Sequence, residues 1–141
     1  MEEKFYNLEE SDYKRLNLQW LFIEKLVKDN YNEDLNHDIE SLELLQKIID
    51  DKIISSNKTY ELQCLGVALG RIASKNIDEL DWYIIEDEYG RDPTLRYLNT
   101  TWRFNTLTMI SKRIEKCQDV DVKSPYDWIF EKVGEIKDGI I

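Results

Sequence analysis

The apolar positions Tyr13, Leu16, Trp20, Ile23 and Val27 recur at spacings of three and four with charged residues between them. That period predicts an amphipathic helix from Ser11 to about Asp29, its stripe widened by Leu21, Phe22 and Leu26. Residues 30–38 hold Asn30, Asn32, Asn36 and several carboxylates without any apolar period, which reads as a polar connection. A second helix is expected from about Asp38 to Lys52, with Leu42, Leu45, Ile48 and Ile49 on one face. Ser55, Ser56 and Asn57 interrupt it and can cap a third helix, from about Thr59 to Lys75, whose inward side chains are Leu62, Leu65, Leu69, Ile72 and Ala73. Gly66 and Gly70 stand one turn apart in that helix. Each costs roughly 1 kcal/mol of helix propensity relative to Ala, which points to close backbone approach by a neighbouring element.

Beyond Asn76 the pattern changes. Trp82, Tyr83, Ile84 and Ile85 form an aromatic and β-branched run, which is strand chemistry. Residues 88–93, Glu-Tyr-Gly-Arg-Asp-Pro, read as a turn, with Gly90 free to take positive φ and Pro93 closing off any helix. Extended segments are expected at Thr94–Leu98 and Thr101–Asn105 around a hairpin tip at Asn99-Thr100, with Trp102 and Phe104 on one face. Helical spacing returns from about Thr106 to Lys116 through Leu107, Ile110 and Ile114. After a polar link over 119–123, Ser124 as N-cap and Pro125 as first helical residue announce a last helix. Its buried face is read as Ile129, Phe130, Val133 and Ile136. The fold class expected is α+β: N-terminal helices and a C-terminal helix packed on a small antiparallel sheet of two to three strands. With 141 residues, one domain is expected over 1–141, its helical part at 1–58 and a helix, hairpin and helices at 59–141.

A hydrophobic content of 42%, with four Trp, eight Tyr and four Phe, supports a real core. The formal charge is −10 and both halves of the chain are acidic. Nucleic acid and anionic membrane surfaces both demand clustered Lys and Arg, so neither is an expected partner. A basic protein is the partner such a field would draw in, although many proteins are acidic for solubility alone. Met-Glu-Glu-Lys at the N-terminus and the lack of any long apolar run predict neither secretion nor anchoring, and the cytoplasm is the expected compartment. Cys64 and Cys117 have no metal-ligand spacing, and Cys64 falls in an apolar helical pattern where a buried free thiol is ordinary.

The single histidine, His37, reads as a surface residue and leaves no material for a zinc motif or a nucleophile–His arrangement. Five glycines form no phosphate-cradling loop. Residues 30–38 and 119–121 lack the glycine and terminal Glu of a calcium loop. No catalytic residue, cofactor or metal is therefore expected. Glu86 and Glu88 would share one face of an extended segment with Asp87 on the other, but strand-end acids commonly pair with neighbours such as Arg91 or Arg96. Arg103, Lys112 and Arg113 are likewise expected to pair with the chain's own carboxylates.

Leu62-Gln-Cys-Leu-Gly66-Val-Ala-Leu-Gly70, then Leu80-Asp-Trp82, then Asp87-Glu-Tyr-Gly-Arg-Asp-Pro93 resemble a bacterial family known as a domain of unknown function, number 3806. Met109 to Glu115 continues the likeness, which spans roughly residues 60–130. The chain departs from the family pattern at Asn105-Thr106, where a proline is expected before the helix containing Met109. The resemblance implies helix, hairpin, helix for this region and no activity, since the family has no catalytic residues to carry over.

Small acidic bacterial proteins of this kind often serve as immunity partners of contact-delivered toxins, whose nuclease domains are frequently basic. The functional expectation is therefore an immunity protein of the contact-dependent growth inhibition type, acting by protein binding and not as an enzyme. Glu86, Asp87, Glu88 and Asp92 are the candidate partner-binding charges, and Tyr89 the candidate aromatic anchor. The competing expectation is a small-ligand-binding or enzymatic domain with a pocket built from the Gly90 turn and its carboxylates. A subunit of a larger assembly would instead display a broad exposed apolar patch.

Overall fold

The computed structural model describes residues 3–141. Its elements run β1 (Lys4–Tyr6), α1 (Glu10–Tyr31), a 3-10 turn (Ile39–Ser41) leading into α2 (Leu42–Asp50), α3 (Thr59–Asn76), β2 (Leu80–Asp87), β3 (Gly90–Tyr97), β4 (Arg103–Phe104), α4 (Thr106–Met109), α5 (Ser111–Glu115) and α6 (Lys123–Lys137). The class is α+β, with helices at both ends around one antiparallel sheet ordered β1-β2-β3-β4. The sheet has one strand more than the two to three expected. The extra strand, β1, adds to the edge of β2 through Phe5 opposite Ile85.

Strand alternation sorts the sheet into two faces. Leu80, Ile84, Leu95, Tyr97 and Phe104 are buried on the helical side. On the other side Asp81 and Asp92 are exposed, and the Arg96 guanidinium lies 4.2 Å from the Phe5 ring and 5.0 Å from Tyr83. That stacking, with Arg96 Nε donating to the Thr100 carbonyl at 2.7 Å, takes Arg96 away from the strand-end acids.

Helix α3 is the axis of the core. Every residue from Cys64 to Gly70 is buried. Leu62, Leu65, Leu69 and Ile72 are fully enclosed, each such burial stabilising by roughly 1.5–3 kcal/mol. The two glycines sit where the sequence cost implied contact. A Cβ on Gly66 would collide with the Thr106 carbonyl oxygen and lie 2.6 Å from that of Leu107, and a Cβ on Gly70 would lie 2.5 Å from Thr106 Oγ1 and 2.7 Å from the Trp82 ring. The first turn of α4 and the inner face of β2 thus rest directly on the α3 backbone.

Several expectations are corrected. Tyr13 points outward at 62% exposure, while Asp12 and Gln19 take buried places on α1. The turn expected over 88–93 ends at Gly90, and Pro93 lies inside β3 opposite Ile84. Proline is tolerated there because β4 pairs only with Leu95 and Arg96, so no partner is left short of a donor. The third extended segment contracts to Arg103–Phe104; Phe104 is buried, but Trp102 lies outside the ladder and is 43% exposed. The helix expected over 106–116 is divided at Ile110 into α4 and α5. Helix α6 begins at Lys123, so Ser124 and Pro125 are already helical. The Asp121 carboxylate accepts from the Lys123 N–H at 3.2 Å instead, and Phe130 faces outward at 62% exposure.

Candidate functional site

The β2–β3 hairpin reverses through Glu88 and Tyr89, with Asp87 paired to Gly90. The Asp87 carboxylate accepts the Tyr89 N–H at 2.8 Å, and Gly90 takes φ 131°, a conformation L side chains rarely adopt. The reversal therefore needs glycine at this one position and leaves Tyr89 standing free at 88% exposure. A Cβ on Gly90 would meet no atom within 4 Å, so the end of the hairpin is open and convex, with no pocket closing over Gly90.

The five sequence-derived candidates gather at this end but not on one face. Glu86 is half-buried on the helical side, opposite Arg91 on one neighbour strand and Lys4 on the other. Asp87 and Asp92 belong to the opposite face, and Glu88 and Tyr89 form the tip. The expected sharing of a face by Glu86 and Glu88 fails because Glu88 has already left the ladder.

What holds the hairpin end was not read from the sequence. Arg91 donates two 2.9 Å hydrogen bonds to the carboxylate of Asp12, on the first turn of α1. The Asp12 side chain is only 10% exposed and also accepts the Glu9 N–H at 2.9 Å, closing a capping box. The hydrogen bonds from Arg91 outweigh burial and hold the Asp12 carboxyl below its usual range. The same bonds raise Arg91, with further support from the charges of Glu9 and Glu86. Glu9, Asp12 and Glu86 thus surround one guanidinium, and Glu10, Tyr13, Lys14 and Arg15 are exposed beside Asp12 in the α1 sequence. The only signal in the sequence was one arginine inside a run of acids; its partner lies 79 positions away.

The other basic candidates divide. Arg103 makes two hydrogen bonds to Glu3, at 2.8 and 2.5 Å, while Lys112 and Arg113 are exposed. Cys64 is buried and its thiol is pushed up to about 11 by burial. His37 is half-buried against Trp20, not a plain surface residue. Among the described residues, no group of three or more His, Cys, Asp or Glu side chains is placed to hold a metal ion. None of their helices is long and apolar enough to cross a membrane. A cleft of about 790 Å³ opens away from the hairpin, between the α2–α3 loop and the α5–α6 linker, floored by Ile48, Leu62 and Leu65 and rimmed by Lys52, Cys117 and Asp119.

Fold and site together define a helix-covered antiparallel sheet that presents an acidic, tyrosine-bearing hairpin end. Within that class the chain belongs to the family described as a domain of unknown function (DUF3806), whose profile matches residues 41–126. The hairpin lies inside the matched segment; Asp12 and Tyr13 lie outside it. No curated protein matches the chain. A 1.50 Å crystal structure of a protein from Bacteroides thetaiotaomicron VPI-5482 is similar, with a TM-score of 0.87 and 18% identity. The match covers 94% of this chain and 48% of that one, so this chain spans about half the length of that protein, and the likeness is one of fold.

Proposed function

We propose that this chain is a cytoplasmic protein-binding domain, an immunity protein that neutralises a basic toxin domain by covering its active or substrate-binding surface. The observation that carries the reading is Tyr89, 88% exposed at the tip of an ordered hairpin whose end carries Glu86, Asp87, Glu88 and Asp92. Aromatic anchors ringed by polar groups dominate binding energy at protein interfaces, and a partner of opposite charge is steered to them by the field. A formal charge of −10 supplies that field. The Arg91–Asp12 bracket holds the hairpin end to α1, which lowers the ordering cost of binding. The competing small-ligand or enzymatic reading is supported by the cleft beside Cys117, not by the Gly90 turn.

The test is capture of the partner from cells expressing the neighbouring open reading frame, followed by titration at two salt concentrations. The expected result is stoichiometric binding to a basic domain, weakened by salt and, by about ten-fold or more, in Tyr89→Ala and in Glu88→Lys/Asp92→Lys. Absence of any stoichiometric protein partner, with a small molecule retained by the purified chain, would overturn it.

A further inference from the structure

His37 occupies the connection 32–38 between α1 and the 3-10 turn, with its ring stacked on Trp20 at 4.3 Å between centroids and 7° between planes. Its main-chain carbonyl accepts a 2.7 Å hydrogen bond from Asn76 Nδ2 on α3. The ring's Nε2 is buried without a hydrogen-bond partner. Trp20 also has the Arg71 guanidinium 5.4 Å from its ring, and its Nε1–H donates to Glu24 at 3.2 Å. The neighbouring hydrogen bonds of Asn36 with Ser41 and Asp38 stay inside the connection and the 3-10 turn, and exposed ion pairs tie the connection to its flanking helices, Asp34 to Lys28 of α1 at 3.3 Å and Glu33 to Lys47 of α2 at 3.9 Å.

We propose that the 32–38 connection is an acid-released clasp, which the neutral imidazole of His37 seats on Trp20 and which protonation unseats, uncovering Trp20 and Leu35. Both are closed off in the seated form, at 4% and 5% exposure. A proton on Nε2 would be a buried donor without an acceptor, and an imidazolium, though attracted by the indole face, would be repelled by the Arg71 guanidinium over the same ring. Arg71 and Lys75 from α3 oppose the charged form, whereas Glu24 from α1 and Asp38 from the connection favour it. Burial is the largest influence, and the balance lowers the histidine below its ordinary 6.5. The sign follows: the unseated form binds the proton more readily. The seated form is therefore fully favoured above pH 6.5, loses ground as pH falls below that value, and is weakest once His37 is charged in place.

His37 is the only histidine, so its imidazole carbon-bound protons can be followed by NMR through a pH titration without ambiguity. The expected result is a midpoint below 6.5. Amide exchange in 32–38, corrected for its intrinsic pH dependence, should accelerate by about ten-fold for each pH step of one between the ordinary histidine value and that midpoint, then level off, while β2 and β3 are unchanged. Arg71→Gln should raise the midpoint. His37→Phe, which keeps a stacking ring but cannot charge, should hold the corrected exchange in 32–38 constant over the same range. A midpoint at or above 6.5, or titration of His37 without loosening of 32–38, overturns the clasp.

Discussion

Around Gly66 and Gly70 a single added carbon would strike Thr106, Leu107 or Trp82, whereas at Gly90 it would meet nothing within 4 Å. The same residue type serves close packing in one place and chain reversal in the other. The α3 axis is buried without a break from Cys64 to Gly70, so its stability is spread over many side chains. The hairpin end is fastened by the pairing of β1 along β2 as far as Glu86 and by one side-chain bracket, Arg91 to Asp12, while its tip at Glu88 and Tyr89 meets water. The partner-binding role proposed for this end requires groups that its own fold leaves exposed, and Tyr89, Glu88 and Asp92 are exposed there.

The contrast is broken most forcefully at α3. Gly66→Ala gains roughly 1 kcal/mol of helix propensity but should still lose about 2–3 kcal/mol of stability in chemical denaturation, because the collision is with main-chain carbonyls of α4 that cannot turn aside. Gly70→Ala should lose less, since Thr106 Oγ1 and the Trp82 ring are side chains with some freedom to move. A neutral Gly66→Ala would mean that α4 does not rest on α3.

The bracket is the intermediate case. Asp12→Ala removes both a helix cap and the two Arg91 bonds, and a loss of about 1–2 kcal/mol is expected. The Arg91 side chain is 42% exposed, so solvent screening keeps the pair's own coupling, read from a double-mutant cycle with Arg91→Gln, below about 1 kcal/mol. Because folding depresses the Asp12 carboxyl, its contribution is complete above the ordinary value of 3.8 and disappears as pH falls through the lower folded value. The acid limb of the stability curve should flatten in Asp12→Asn. The smallest effect is expected at the tip, where Tyr89→Ala should change stability by no more than about 0.5 kcal/mol. If it destabilised as strongly as Asp12→Ala, the tyrosine would be a packing residue and the comparison between the two regions would fail.

The helices α1 and α3, the strand run from Trp82 to Ile85, the glycine pair and the reversal near Gly90 were legible in the sequence, because burial of one face imposes a period and because only glycine meets those contacts or that φ. The family likeness was legible for the same reason: its motif records the α3 contact and the hairpin. Strand β1 was not, since three residues carry no period and become a strand only when β2 offers an edge. The stripe on α1 gave an average direction for the helix but not the outward place of Tyr13, nor the inward place of Asp12, which pairs with Arg91. Pro93 read as a stop and became a strand residue because β4 is too short to need its donor. Local pattern determined the long helices, the β2–β3 hairpin and the main face each of them buries. The bracket that holds the candidate surface and the seat of His37 on Trp20 join residues far apart in the chain, so only tertiary closure decided them.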